Sequence, residues 1–491
     1  MKGGTNVSSP LFYSYRNLYN EKIRISHCVS YLCINAKMNI VCYMSALKLF
    51  LSSSVAFFIS HSLYATVTNA QLESQPDFFS SNYTAYDASV KGYNKLQTGV
   101  YDYPKLSADP EGYTPFYISH YGRHGSRYHY SLDDYRYVTE ALEKAAAESG
   151  LTQLGQQLLE EMKKVRDNAD KRAGDLTPLG REQHRGIASR MMKNFPAVFA
   201  GDNKKIDAKS TMVVRCVLSM NAFCQELTKT NPKLDIVNDA SDKYQVFLCH
   251  GKVVSEFSDN KAELDAFYKK RELGDDVLDR IFSNKNVVKK YVNKDRFISN
   301  LYYMLVALQG VDVENLDERT CSLTKVFTVS ELAKQWQNQN LYWYMGYAKG
   351  PHKGGEGKNS SVYLVEKIRE EADAAIAGNG LAANLRFGHD IGLLPLVALL
   401  NLDGLGETYT DLELLHNNWQ DFSVVPMASN FQMVFYRKNN PNASGSQYLV
   451  KFLVNEREVK LPASVSPVSG NYYDWNVVRN YFTEIEKTVK H

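Results

Sequence analysis

The chain has 491 residues, with 57 Lys plus Arg against 54 Asp plus Glu, a formal net charge of +3. That length exceeds one ordinary core and predicts two domains, or one domain with a large insertion. The near balance of charge excludes nucleic-acid binding through a bulk basic surface, and 44% apolar with 23% charged residues excludes wholesale disorder.

The first seventy residues read as a leader. Lys48 precedes an apolar run, Leu49 to Ile59, and small and polar residues follow as far as Ala70. A charged start, a short apolar middle and small residues at the end are the layout of a secretory signal peptide. The run is too short for a stable membrane anchor, which needs roughly 20 apolar residues. The expected location is therefore periplasmic or secreted. Without residues 1–70 the chain keeps 51 basic and 53 acidic groups, a formal charge of −2. Any attraction for an anion must then be local.

Seven Cys are too few for a disulfide scaffold of this length. Cys28, Cys33 and Cys42 lie in the leader. Cys216, Cys224, Cys249 and Cys321 remain and permit up to two disulfides, in three pairings. No Cys-x-x-Cys pair or Cys/His cluster suggests a metal, and no cofactor is expected.

Thr114 to Gly122 is aromatic and β-branched, a buried strand running into a loop. Residues 133–168 have helical spacing. A second helix starts at Thr177-Pro178, where Thr suits the cap and Pro the first turn. Thr211 to Arg215 reads as a short strand with Arg215 at its end, followed by a helix from Cys216 to Leu227. Residues 260–345 are charged and helical. Pro351 to Asn359 is a Gly/Lys loop without phosphate-loop spacing, read as mobile. Leu385 to Asp390 is a strand ending in polar residues, and Asp390 can cap the apolar helix after it. Phe431–Tyr436 and Gln447–Val454 form a hairpin.

This order predicts an α/β fold: a central mixed, mainly parallel sheet flanked by helices, with an inserted, mostly helical domain. The expected boundaries are 71–250 and 375–491 for the α/β domain and 251–374 for the insertion. Ligand groups gather at the C-terminal ends of parallel strands. Arg123-His124, Arg215 and His389-Asp390 are placed there.

Arg123-His124-Gly125-Ser126-Arg127 carries the clearest chemistry. The planar fork of Arg matches two phosphate oxygens. A His between two Arg tends to stay neutral, and neutral imidazole is a nucleophile. The Gly allows a close backbone approach to a ligand. A phosphate monoester has a poor leaving group that needs a proton, and Asp390 can supply it. The plainer readings are a solvated basic loop, an ordinary salt-bridged Arg215 and a helix cap at Asp390.

Together these segments resemble the histidine phosphatase superfamily, in its acid phosphatase and phytase branch. That branch is marked by Arg-His-Gly-x-Arg, a middle Arg and a late His-Asp or His-Ala-Glu. Leu176-Thr-Pro-Leu-Gly180, Arg215-Cys216 with Ser219, Tyr342-Trp-Tyr-Met-Gly-Tyr347 and Phe387-Gly-His389 with Leu393-Leu-Pro395 are similar to the multiple inositol polyphosphate phosphatases. The resemblance implies His124 as nucleophile, forming a phosphohistidine. It implies Arg123, Arg127, Arg215 and His389 as phosphate ligands and Asp390 as proton donor, without a metal. Two positions depart from the pattern. His129 stands where many members have Pro. His389-Asp390-Ile391 stands where the inositol polyphosphate group usually has His-Ala-Glu.

The expected function is an exported phosphomonoesterase acting on inositol phosphates or similar metabolites, with a small-molecule substrate and no nucleic-acid partner. A broad-specificity acid or sugar phosphatase is the alternative within the same chemistry. A binding protein that captures phosphate compounds without turnover is the alternative outside it.

Overall fold

In the computed structural model of the chain, the described residues are 105–249 and 261–490, apart from 309, 318–320, 351 and 352. The leader at 1–70 lies outside them. Among the described residues the strands are β1 (Tyr113–Arg123), β2 (Lys205–Ser210), β3 (Asp235–Ala240), β4 (Leu381–Gly388), β5 (Asn430–Lys438), β6 (Tyr448–Val454), β7 (Arg457–Val459) and β8 (Tyr473–Asp474). They form one sheet in the order β3-β2-β4-β1-β5-β6-β7, with β8 paired to β6. β3, β2, β4 and β1 run parallel, and β5 turns the sheet antiparallel. The β5–β6 hairpin predicted from the turn-rich 439–446 segment is present.

Side-chain alternation sorts the strands onto two cores. Tyr117 and Tyr121 of β1, with Phe431, Met433 and Phe435 of β5, face one core. Ile118 of β1 and Val434 and Tyr436 of β5 face the other. The second core is covered by α1 (Leu132–Ala147), α2 (Gln153–Ala169), α3 (Pro178–Asn194), α4 (Val214–Thr230) and α5 (Lys294–Val306). The first is covered by the C-terminal half of α6 (Val329–Tyr347), by α7 (Val362–Ile376), α8 (Asp390–Leu399) and α9 (Trp475–Lys490). Both faces are packed, as a parallel sheet requires.

Several local expectations change. The helical stretch 133–168 is two helices, because Ser149 takes a positive φ of 50° and Thr152 caps a new start, accepting from Gly155 N at 3.1 Å. The strand expected at 211–215 lies earlier. Lys205–Ser210 alternates Ile206, Ala208 and Ser210 inward with charged residues between. Met212 and Val214 are instead 52% and 61% exposed, so the apolar run is not a buried strand. Arg215 is consequently the second residue of α4. The segment 353–361 is a 3-10 helix; Gly357 backs directly onto the Gly346 backbone, and Ser361 Oγ donates to Gly392 O at 3.0 Å.

Among the described residues the cysteines are not paired. Cys216, Cys224, Cys249 and Cys321 are all free thiols. Cys216 and Cys224 share α4 eight residues apart, a rise of about 12 Å. A disulfide needs Cα atoms within about 7 Å.

Candidate active site

Strand register builds the site. Arg123 at the end of β1 pairs with Gly388 at the end of β4, and Ser210 of β2 pairs with Phe387. Three parallel strands therefore finish at one edge. The next residues, His124, Thr211 and His389, emerge side by side. β5 begins opposite Gly122, so the segment before it closes the fourth side. Backbone bonds from His124 N to Gly388 O (3.0 Å), Arg123 N to Ser429 O (2.8 Å) and Ala428 N to His124 O (3.0 Å) hold this corner.

All the residues expected at the site gather there. His124 is buried, and its ring meets that of His389 edge-on, with centroids 5.6 Å apart. His124 Nδ1 lies 2.9 Å from Gly125 O. A carbonyl can only accept, so Nδ1 carries the hydrogen and Nε2 keeps the lone pair. Burial holds the His124 pKa well below its ordinary value, and Arg215, Arg123, Arg127 and His389 lower it further. The neutral imidazole read from the sequence is thus favoured by burial as well as by its cationic neighbours.

Arg123 is 1% exposed, and its Nη2 forms an ion pair with Asp390 Oδ2 at 2.6 Å. Its Nη1 donates to Val425 O. Arg127 donates to Tyr128 O at 3.0 Å and lies over the Tyr130 ring. Burial and the two other Arg lower the Arg127 pKa to about 10, which leaves it cationic at neutral pH. Arg215 reaches the same charge cluster from α4, since it acts on both His124 and His389. Burial, then Arg215, drives the His389 pKa down to about 3.

Asp390 feels opposing effects. Burial raises its pKa, while Arg123, His389 and Arg127 together outweigh burial and hold it below the ordinary carboxylate value. The capping position belongs to His389, with no cap bond from its side chain. Asp390 is the first helical residue, and its Oδ1 accepts from Ile391 N at 2.9 Å. The helix N-terminus adds positive potential at the same point.

A supporting shell was not legible residue by residue. Gly125 N donates to Ser219 Oγ (3.2 Å), Ser126 N to Gln183 Oε1 (2.8 Å) and Thr177 Oγ1 to Ser126 O (2.9 Å). Thr177 also caps α3, accepting from Gly180 N at 3.2 Å as its sequence position predicted. Gly125 serves a different purpose from the one expected. A Cβ there would run into the backbone of Gly180, so the glycine admits the start of α3 rather than a ligand. Tyr121 OH donates to Leu248 O at 2.9 Å and accepts from His389 N at 3.2 Å. A Cβ on Gly388 or Gly392 would strike that hydroxyl. His129, the departure from the Pro pattern, donates from Nε2 to Asp134 at 2.8 Å.

The arrangement is a cluster of three guanidinium groups around a neutral imidazole, with a carboxyl beside it. It can bind a phosphoryl group, attack it and protonate what leaves. Asp390 pairs with Arg123 and accepts from Ile391 N in either reading, but a proton donor beside the anion site has a use only in turnover. The profile of the histidine phosphatase superfamily (branch 2) matches residues 122–455. The chain belongs to this superfamily. It is a phosphatase of the histidine acid type. Multiple inositol polyphosphate phosphatase 1 of Homo sapiens is 26% identical over 349 residues, 65% of this chain and 67% of that one. The multiple inositol polyphosphate phosphatase of Bifidobacterium longum, solved with inositol hexasulfate, superposes with a TM-score of 0.62 at 20% identity, covering 84% of this chain and 97% of that one. The phytase from D. castellii gives a TM-score of 0.57 at 14% identity, with 83% and 85% covered. At those identities the structures establish the α/β fold. Among the described residues no helix is long and apolar enough to cross a membrane.

Proposed function

We propose that the chain is an exported phosphomonoesterase that removes phosphate from inositol phosphates or closely similar metabolites through phospho-His124. Arg123, Arg127, Arg215 and His389 hold the phosphoryl group. His124 Nε2 attacks phosphorus, and the P–O bond to the leaving group breaks as Asp390 passes its proton to the departing oxygen. Water then attacks the phosphohistidine, giving its proton back to Asp390 and releasing phosphate and free His124. The observation that carries this reading is the 2.6 Å pair of Arg123 with Asp390 beside a buried, neutral His124.

Asp390 needs its proton for the first step, yet Arg123 favours its ionised form. A bound phosphoryl dianion draws Arg123, Arg127 and Arg215 to itself and adds negative charge next to the carboxyl. Both effects let burial dominate and raise the Asp390 pKa. Binding thus readies the donor, and a mildly acidic optimum follows.

The substrate class rests on the relatives, whose names specify inositol polyphosphates. A carboxyl at Asp390, one residue earlier than in the His-Ala-Glu usual in that group, favours a second reading, a broader acid or sugar phosphatase. Turnover of inositol hexakisphosphate, glucose phosphates and nitrophenyl phosphate separates the two. For the mechanism, the test is acid-labile, base-stable phosphate label on the denatured enzyme. Label is expected in the wild type and absent in His124→Ala; equal label in both overturns the mechanism. Export is tested by the N-terminal sequence of protein recovered outside the cytoplasm, expected to begin near residue 71.

A further inference from the structure

Thr211 has no part in the reaction described so far. It follows the last residue of β2 and is fully buried, with its N–H bonded to Phe387 O at 3.0 Å, one step beyond the β2–β4 ladder. Its Oγ1 lies 3.3 Å from His389 Nε2. The other close polar group is Cys216, whose Sγ is 3.6 Å from Nε2 and 3.8 Å from Nδ1 of His389. The single S–H hydrogen of Cys216 is directed to Gly388 O at 3.2 Å. Cys216 therefore has no hydrogen left for His389.

The chemistry of the phosphate fixes what His389 must do. A phosphoryl dianion only accepts hydrogen bonds, so a neutral imidazole serves it only through an N–H. The ring nitrogen turned away from the phosphate then holds a lone pair, and a buried lone pair needs a donor. The Thr211 hydroxyl hydrogen has two acceptors within reach, Cys216 Sγ and His389 Nε2. Sulfur is the weaker acceptor. The hydrogen accordingly goes to Nε2.

Resting on the phosphatase reading above, we propose that Thr211 is a positioning residue that fixes the tautomer of His389: its hydroxyl donates to Nε2, keeping the ring hydrogen on Nδ1 as a ready donor to the phosphoryl oxygens. Three backbone contacts fix the other end of the residue. Tyr121 OH accepts from His389 N, and His389 O accepts from Gly392 N and Leu393 N of α8. With the main chain held there and the ring held at Nε2, the imidazole has one orientation and one tautomer before substrate arrives. Val at position 211 has nearly the same shape but offers no hydrogen, and Ser offers the hydrogen without the methyl group.

The experiment compares wild type, Thr211→Val and Thr211→Ser. Ring 15N shifts of His389, assigned with a His389→Gln control, are expected to report Nδ1–H in wild type and in Thr211→Ser. In Thr211→Val they should report Nε2–H or a mixture. Inorganic phosphate, used as competitive inhibitor, should bind about tenfold more weakly to Thr211→Val, and kcat/KM should fall by a similar factor. Thr211→Ser should stay within about threefold of wild type. An Nε2–H tautomer in wild type, or Thr211→Val with unchanged ring shifts and phosphate affinity, overturns the proposal. If wild type forms no phosphohistidine at all, the failure lies instead in the catalytic reading, because the tautomer is read without turnover.

Discussion

Arg123 and Asp390 form an ion pair with 2.6 Å between Nη2 and Oδ2, although one ends a strand, the other opens a helix, and they are 267 positions apart. One is the last residue of β1, the other the second residue past β4. On the proposed mechanism the pair joins a group that receives phosphate charge to the group that protonates the leaving oxygen, so the two steps of the reaction share one electrostatic contact.

Asp390→Asn removes the proton and keeps the shape. Turnover of alkyl phosphates, whose leaving alkoxide needs protonation, is expected to fall by about 10²–10⁴. Nitrophenyl phosphate, with a stable leaving anion, should lose far less. Steady-state kinetics on both substrates decides it; equal losses would remove Asp390 from the donor role.

Thr177 makes two bonds with one hydroxyl, capping α3 and holding Ser126 O behind the Arg-His-Gly turn. Thr177→Ala should lower stability by about 1–2 kcal/mol in urea unfolding, the usual range for a lost cap. It should also reduce phosphohistidine formation, because Ser126 is two residues from His124, the proposed nucleophile. A stability change with full labelling would leave the capping role and refute the second.

Gly125→Ala places a methyl group against the Gly180 backbone, where no side-chain movement can relieve it. A loss of about 1–3 kcal/mol is expected, as for overpacking elsewhere, together with most activity. Gly274→Ala is the control, since its nearest neighbour is the Asp276 side chain at 3.7 Å. Thermal unfolding of both variants should separate them clearly.

Acid should destabilise the protein through its buried histidines. Burial lowers the pKa of His184 to about 3, and burial with Arg215 does the same to His389. The unfolded chain takes up protons at these residues near the ordinary value of about 6.5, while the folded chain does not. Stability is therefore full above that value and declines as pH falls towards 3, at about 1.4 kcal/mol per pH unit for each such histidine. Urea midpoints at pH 7.0, 5.5 and 4.5 should fall in that order. Flat midpoints would contradict neutral burial.

The pH dependence of labelling tests the same property at the nucleophile. His124 is buried and surrounded by cations, so its Nε2 lone pair persists well below pH 6.5. Single-turnover phosphohistidine formation at subsaturating substrate, which reports the free enzyme, should continue at pH 4.5. A loss centred near 6.5 would assign His124 an ordinary, solvated imidazole.

What is local in chain order could be read from the residues alone. Arg123 to Arg127 and His389-Asp390 were legible because chemistry of that kind concentrates unusual residue types in short runs. The Thr177-Pro178 cap and the β5–β6 hairpin were legible because they depend on neighbours within a few residues. Tertiary structure decided everything set by register and packing. It put Arg215 on a helix rather than a strand end, because burial chose Lys205–Ser210 over the more apolar 211–215. It gave Gly125 to the approach of α3, left four thiols unpaired and set Thr211 against His389 across 178 positions. Such contacts depend on which strands become neighbours and where each one stops, and a run of residues carries no record of the strand it will lie beside.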